Sequence, residues 1–412
     1  MPRYAIVEAP SALGHVPEHL GVERAPEVLL GAGLADGLAA RRAGRVEAAG
    51  YSAERDSGTH IMNPQAIRDY SPLLADAVTA VLDAGEFPVV LGGDCSILLG
   101  TMLALRRRGR YGLLYIDGDA DFYQPEVNPL GGAASASDLA FATGRGPDVV
   151  TDIEGRRPLV RAEDVVVFAC RDAADRERRG CQPLPEDLLV IDRDQVRRVG
   201  AAAAAREAVR YLTREGGPQD GFWIHLDADV FDETIMPAVD DPRPDGLAWD
   251  EVVSALSIAA GSGHAVGLQV AIYNPDIDAA GSNGRGLAAT VREAGPGRGV
   301  RLRARPRPPP APSLSGQLPR STSRDGHRVM GHHLGELVTP EYGGLPVRPC
   351  RSSSPHRRKN IFPYQSQSPP YCSVVCHEPV RQPCDAATLT MLLSSCTPVF
   401  TIEDSNGQDR ET

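Results

Sequence analysis

The sequence predicts an α/β protein: a three-layer α/β/α fold around a mostly parallel sheet, followed by a disordered C-terminal extension. Three observations carry this. Between residues 60 and 275, apolar runs of strand length alternate with helix-length segments; the runs are apolar throughout instead of alternating with polar residues; and the composition changes abruptly near residue 296. A parallel strand pair needs a long crossover, usually a helix, and a sheet covered by helices on both faces has strands that read as continuous apolar runs.

In chain order, the segment SPLLADAVTAVLDAG predicts a helix and FPVVLGG a strand, followed by the helix ILLGTMLALRRRG and the strand GLLYIDGD. A long loop, FYQPEVNPLGGAASAS, comes next. Its two prolines and two glycines break regular structure, and loops of this length at strand ends tend to carry function. EDVVVFAC is a strand, AAAAAREAVRYLTREG a helix, DGFWIHLDAD a strand, WDEVVSALSIAAG a helix and AVGLQVAIYN a strand, with Gly216 and Gly261 placed as helix stops.

The formal charge of −11 over 412 residues hides two unlike parts. Residues 301–412 hold 14 basic and 9 acidic residues, 16 of the 35 prolines and five of the eight cysteines, so the remainder is strongly acidic. We read residues 1–296 as one folded acidic domain and 297–412 as a Pro/Arg/Ser/Cys-rich disordered tail. No run is long and apolar enough to span a bilayer, and MPRYAIVEAP lacks the pattern of a secretion signal, so the expectation is a cytoplasmic protein with no membrane partner.

Two predicted strands end in carboxylates at two-residue spacing: Asp117, Asp119 and Asp121 in YIDGDADF, and Asp227 and Asp229 in HLDADVFD. Period two puts such residues on one face of a strand, at the carboxyl ends where open α/β sheets bind ligands. Acids converging from two buried strands repel and shift one another's pKa unless a cation neutralises them, which points to a metal site for two ions. An EF-hand loop is excluded, because its glycine position is Phe122 and its final glutamate position is Asn128.

VVLGGDCS, YIDGDADF, ACRDAADRE, HLDADVFD and YNPDID, in that order, resemble the signature blocks of the ureohydrolase family of arginases, agmatinases and formimidoylglutamases. The resemblance runs from near the N-terminus to about Arg292. It implies an arginase-like fold, two Mn²⁺ ions per subunit, a small guanidino or amidine substrate whose C–N bond is hydrolysed by a hydroxide bridging the ions, and a homo-oligomer, trimer or hexamer. Carried over position by position, Asp117, Asp121, Asp227 and Asp229 match metal ligands, with Asp117 and Asp227 bridging. Cys95 and Asp119 stand where the family has His; Cys95 would join Asp121 on one ion, and Asp119 would join Asp229 on the other. Asp172 and Glu177 lie in the block resembling the substrate-recognition loop, and no further catalytic side chain is assigned.

These departures pull in opposite directions. A thiolate at Cys95 favours Zn²⁺ or Fe²⁺, a carboxylate at Asp119 favours Mn²⁺ or Mg²⁺ and is shorter than an imidazole. The family's proton-transferring His in the following loop has no counterpart, and a Glu of the fifth block is Ile272, which argues against arginine itself as substrate. The second reading is therefore a catalytically impaired family member with a binding or regulatory role.

Other signals are weak. His225 reads as a strand histidine satisfied by a neighbouring carbonyl, Cys170 and Cys181 as free thiols, and the glycines of GAGLADG do not form a dinucleotide fingerprint. Cys372, Cys376, His377 and Cys384 lack zinc-site spacing, and RLRARPR and HRRK read as solvated runs, so no nucleic-acid partner is expected.

Overall fold

A computed structural model describes residues 3–295; the extension 297–412, with its cysteines and basic runs, lies outside the described residues. Among the described residues eight strands form one sheet: β1 (Tyr4–Ala9), β2 (Arg41–Arg45), β3 (Phe87–Gly92), β4 (Gly112–Ile116), β5 (Val165–Phe168), β6 (Leu189–Ile191), β7 (Phe222–Asp227) and β8 (Ala265–Ala271). Their spatial order is β2-β1-β3-β8-β7-β4-β5-β6, and the named strands all pair in parallel.

The side chains of each strand divide between two cores. Val89 and Leu91, Leu114 and Ile116, Val166 and Phe168, and Ile224 and Leu226 face helices Ala25–Gly31, Ala201–Leu212, Trp249–Gly261 and Ser282–Ala294. Val90, Leu113 and Tyr115, Val165 and Val167, and Trp223 face helices Pro64–Asp83 and Ile97–Arg106. Both faces are thus apolar, which explains why the central strands carry no polar alternation. The five strands expected between residues 60 and 275 are β3, β4, β5, β7 and β8, and the three others were silent for physical reasons. RRAGR in β2 is a mostly exposed edge strand whose one apolar side chain is Ala43, β6 has only three residues, and β1 lies before the stretch where the alternation is regular. The alanine-rich helix ends at Leu212, before Gly216, with Thr213 closing its last turn.

The order β3-β8-β7-β4 places a switch in chain direction at the centre of the sheet, where the connections after neighbouring strands diverge and leave a crevice at the carboxyl ends. Its floor is fixed by the turn after β3. Gly93 N donates to Ala9 O, Asp94 N donates to Ser11 O, and Gly93 O accepts from Ile272 N, so this turn is tied to the ends of both β1 and β8. A Cβ on Gly93 would collide with the main chain of Ser11, a neighbour that cannot rotate away.

Gly93→Ala is expected to destabilise the protein by about 2 kcal/mol or more, the range for overpacking a site without room to relax. A denaturant midpoint equal to that of the wild type would contradict the close approach.

Candidate metal centre

The register of β4 against β7 builds the site. Leu113 pairs with Trp223 and Tyr115 with His225, so the next same-face rung holds Asp117 and Asp227 side by side. The rings of Tyr115 and His225 stack at 4.4 Å and support that rung from below. Each strand then turns on its own aspartate: Asp117 Oδ1 accepts from Asp119 N at 2.7 Å, and Asp227 Oδ1 accepts from Asp229 N at 2.7 Å. Asp229 Oδ1 accepts from Gly118 N at 2.9 Å, which locks the two turns together. The turn after β3 adds Cys95, whose thiol donates to Asp227 Oδ2 at 2.7 Å.

The cluster opens into a pocket of about 380 Å³ whose lining includes Cys95, Asp119, Asp121, Asp227 and Asp229. Tyr123, Leu130 and Ser135 of the long loop after β4 form part of its wall, and Asp240, Asp241 and Arg243 come from the segment after β7. Asp117 is wholly buried, and its Oδ2 has no hydrogen-bond partner, nor has Asp119 Oδ1. Burial first, and the neighbouring carboxylates second, push Asp117, Asp119, Asp121 and Asp227 well above the usual carboxylate range. Burial raises Asp229 too, while the Arg171 guanidinium opposes the rise. The Cys95 thiol is pushed up by burial and by Asp227. Orphaned buried oxygens among acids that hold on to protons are what a divalent cation would satisfy, and the donor set fits one.

The structure brings together most of the residues expected from the sequence, with differences. Cys95, Asp117 and Asp227 offer ligand atoms within 4.8 Å of one another, and the fourth member of that group is His225, not Asp121. Asp121 turns instead toward Tyr115, whose hydroxyl oxygen lies 2.6 Å from Asp121 Oδ2 and 2.8 Å from Asp138 Oδ1, so its one proton is shared between two carboxyls. Asp119 is ion-paired with Arg243 at 3.0 Å, and Arg243 also holds Asp175 and Asp241. The structure does not bring Asp172 and Glu177 to the pocket. Asp172 is buried and paired with Arg176 at 2.9 Å, and Glu177 is exposed on the helix Ala173–Arg178.

His225 corrects the expectation of a carbonyl-bonded strand histidine: its Nδ1 meets the side-chain amide of Gln269 at 2.7 Å. Gln269 Oε1 already accepts from Trp223 Nε1–H at 3.0 Å and from Thr101 Oγ1–H at 2.5 Å. An indole nitrogen only donates, so the amide oxygen must face Trp223 and the amide NH₂ must face His225. His225 Nδ1 is therefore an acceptor and its proton sits on Nε2, 3.6 Å from both Cys95 Sγ and Asp117 Oδ2. Burial lowers its pKa to about 3, so the ring stays neutral. Although near enough to ligate, it presents an N–H where a ligand needs a lone pair, and it acts as a donor to the cluster. Sequence reasoning missed Arg171, Arg243, Asp138, Asp240 and Asp241. Period two along WIHLD sets His225 on the face of Asp227, but its polar partner, Gln269, lies 44 residues on.

Fold and site together define an α/β protein with a cation-seeking carboxylate centre at the switch point of a parallel sheet. A family model described as the Arginase family matches residues 3–294, and the chain belongs to that family of metal-dependent amidino hydrolases. It is 28% identical over 221 residues to an arginase of Bacillus caldovelox, covering 53% of this chain and 72% of that one. To an arginase of Staphylococcus aureus it is 25% identical over 281 residues, 66% of this chain and 90% of that one. The solved structure of the B. caldovelox arginase superimposes with a TM-score of 0.62 at 24% identity, covering 71% of this chain and 98% of that one. An agmatine ureohydrolase of Thermoplasma volcanium gives 0.53 at 18% identity, covering 71% and 88%. No helix among the described residues is long and apolar enough to cross a membrane.

Two outcomes follow. Gln269→Glu offers Trp223 and His225 an oxygen each, so the His225 proton should move from Nε2 to Nδ1, read directly by ¹⁵N NMR of the imidazole; an unchanged tautomer would refute the assignment. The second concerns pH. Carboxyls whose folded pKa is raised bind more protons folded than unfolded, so the stability they contribute is lost as pH rises. Metal-free protein should thus gain thermal stability on going from about pH 8 to 6.5, a trend that a saturating divalent cation abolishes. Below 6.5 His225, neutral down to about 3, acts in the opposite sense.

Proposed function

We propose that this chain hydrolyses a C–N bond of a small guanidino or amidine compound, using divalent cations held by Cys95, Asp117, Asp227, Asp229, Asp119 and Asp121. The observation that carries this is the buried pair Asp117 and Asp227 on one rung, each followed two residues later by another aspartate, at the floor of an open pocket. Bound cations would supply Lewis-acid polarisation of the substrate and an activated water. Mn²⁺ is the cation the family resemblance suggests, and the Cys95 thiolate adds a preference for a softer ion on its side.

The protein's own side chains do the rest. Asp240 and Asp241 add two carboxylates to the pocket wall against the single guanidinium of Arg243, which favours a cationic head group over an anionic one. Ile272 gives the wall an apolar patch where a carboxylate partner for arginine would be needed, so arginine is the less favoured substrate. His225 Nε2–H faces Cys95 Sγ at 3.6 Å and places a neutral donor beside the acids.

A specific observation favours a second reading, a family member that binds but does not turn over. Arg243 already sits on Asp119, the position where the family resemblance calls for an imidazole ligand.

Metal analysis of the purified protein, with urea and ammonia release from a panel of guanidino and formimino compounds, tests both readings. Divalent metal should co-purify, and Asp227→Asn should weaken Mn²⁺ binding at the carboxylate cluster at least about tenfold, since it removes one anionic oxygen ligand of that centre. Turnover in the wild type supports hydrolysis. An inert wild type whose Cys95→His/Asp119→His variant gains turnover would establish the binding reading, and metal-free wild type would end both.

A further inference from the structure

Beside the carboxylate cluster, His15, His19 and Asp240 bring ligand atoms within 4.8 Å of one another. We propose that these three side chains form a separate site for one borderline divalent cation of the zinc class, at the rim of the pocket.

Four observations support it. His15 is completely buried, and its Nε2 has no hydrogen-bond partner; neither has His19 Nδ1. Leaving such nitrogens unmet is costly, and unmet polar atoms in a native structure call for an explanation. The separations from Asp240 Oδ2 are 3.6 Å for His15 and 3.8 Å for His19, too long for hydrogen bonds. They are close to the edge of about 3.4 Å that a tetrahedron with metal–ligand bonds near 2.1 Å requires. The polar neighbour on the far side of the His15 ring is of the right kind: Nδ1 lies 3.2 Å from Ser135 Oγ. A hydroxyl accepts as readily as it donates, so the ring can carry its proton on Nδ1 and leave the Nε2 lone pair for an ion. This is the reverse of His225, whose amide neighbour forces the opposite tautomer. Finally, the short segment that presents the rings is held in place, because Tyr51 hydroxyl donates to His15 O and the turn Pro17–His19 closes with His19 N donating to Val16 O.

Two imidazoles and one carboxylate suit Zn²⁺, with a fourth position left for water or an anionic group. Asp240 also lines the main pocket, so the ion would border the space a substrate occupies, yet its ligands are not those of the proposed hydrolytic centre.

The test uses the full-length protein, Zn²⁺ alone as probe, and Asp227→Asn as background so that the carboxylate cluster is weakened independently. Equilibrium dialysis should find one zinc per chain retained in that background, with X-ray absorption showing two imidazole ligands. Adding His19→Ala, at a partly exposed position where folding can be confirmed by an unchanged melting temperature, should weaken that zinc at least about 100-fold, as should Asp240→Asn. Equal zinc affinity with and without His19, or absorption lacking imidazole scattering, would show a simple histidine–aspartate pairing and overturn the proposal.

Discussion

The structure is organised around one electrostatic constraint: aspartates that side-chain periodicity and strand register bring together where water is scarce. Asp117 and Asp227 cannot separate, because the β4–β7 register sets them on one rung, and Gly118 N binds Asp229 so that the two turns move as one. Like charges so close must be neutralised by protons, by resident cations or by bound ones. The first two devices are at work. Burial raises the acids so that they hold protons, Tyr115 is poised between Asp121 and Asp138, and Arg171 and Arg243 stand beside Asp229 and Asp119. His225 is denied a charge by burial and contributes only the dipole of its N–H bond.

How far the sequence reveals this depends on whether the signal is local. The two Asp-x-Asp turns were legible because the period of a strand decides which residues share a face, and the central strands were legible because burial on both faces makes them uniformly apolar. Edge strand β2 was not, since an exposed RRAGR needs no apolar residue. The guanidiniums were not legible either. Arg243 lies more than 120 residues from Asp119 and reaches it only through the fold, and an arginine in a loop sequence such as DDPRPD reads as a solvated side chain. The setting of Asp172 was not legible either: the block that contains it resembles a recognition loop, and in the folded chain its carboxylate is turned onto Arg176, one helical turn away.

Ile272 shows that backbone and side chain can part company. It has a φ of +68°, an uncommon conformation for any side chain and a strained one for a β-branched residue. Its N–H is committed to Gly93 O, so the kink after β8 is part of how the strand ends meet, whatever side chain stands there. The backbone of the wall at this point is thus set without reference to the side chain, which is apolar where the family resemblance expects a Glu. Asp240 and Asp241, on the segment after β7, add carboxylates to the same pocket.

The two halves of the centre are also neutralised differently, and this bears on how it can respond to a ligand. The Cys95, Asp117 and Asp227 half faces no arginine ion pair among the described residues and depends on protons or an added cation. The Asp119 half carries its own cation in Arg243. That guanidinium is a planar fork with more donors than Asp119 can use, and it already reaches Asp241 and Asp175, the latter at 3.1 Å. Withdrawal from Asp119 therefore breaks one of three ion pairs and leaves no buried guanidinium stranded. An arriving cation, whether a metal ion or the amidinium of a substrate, meets an Asp119 whose present partner is replaceable, whereas at Asp117 and Asp227 it would have only protons to displace.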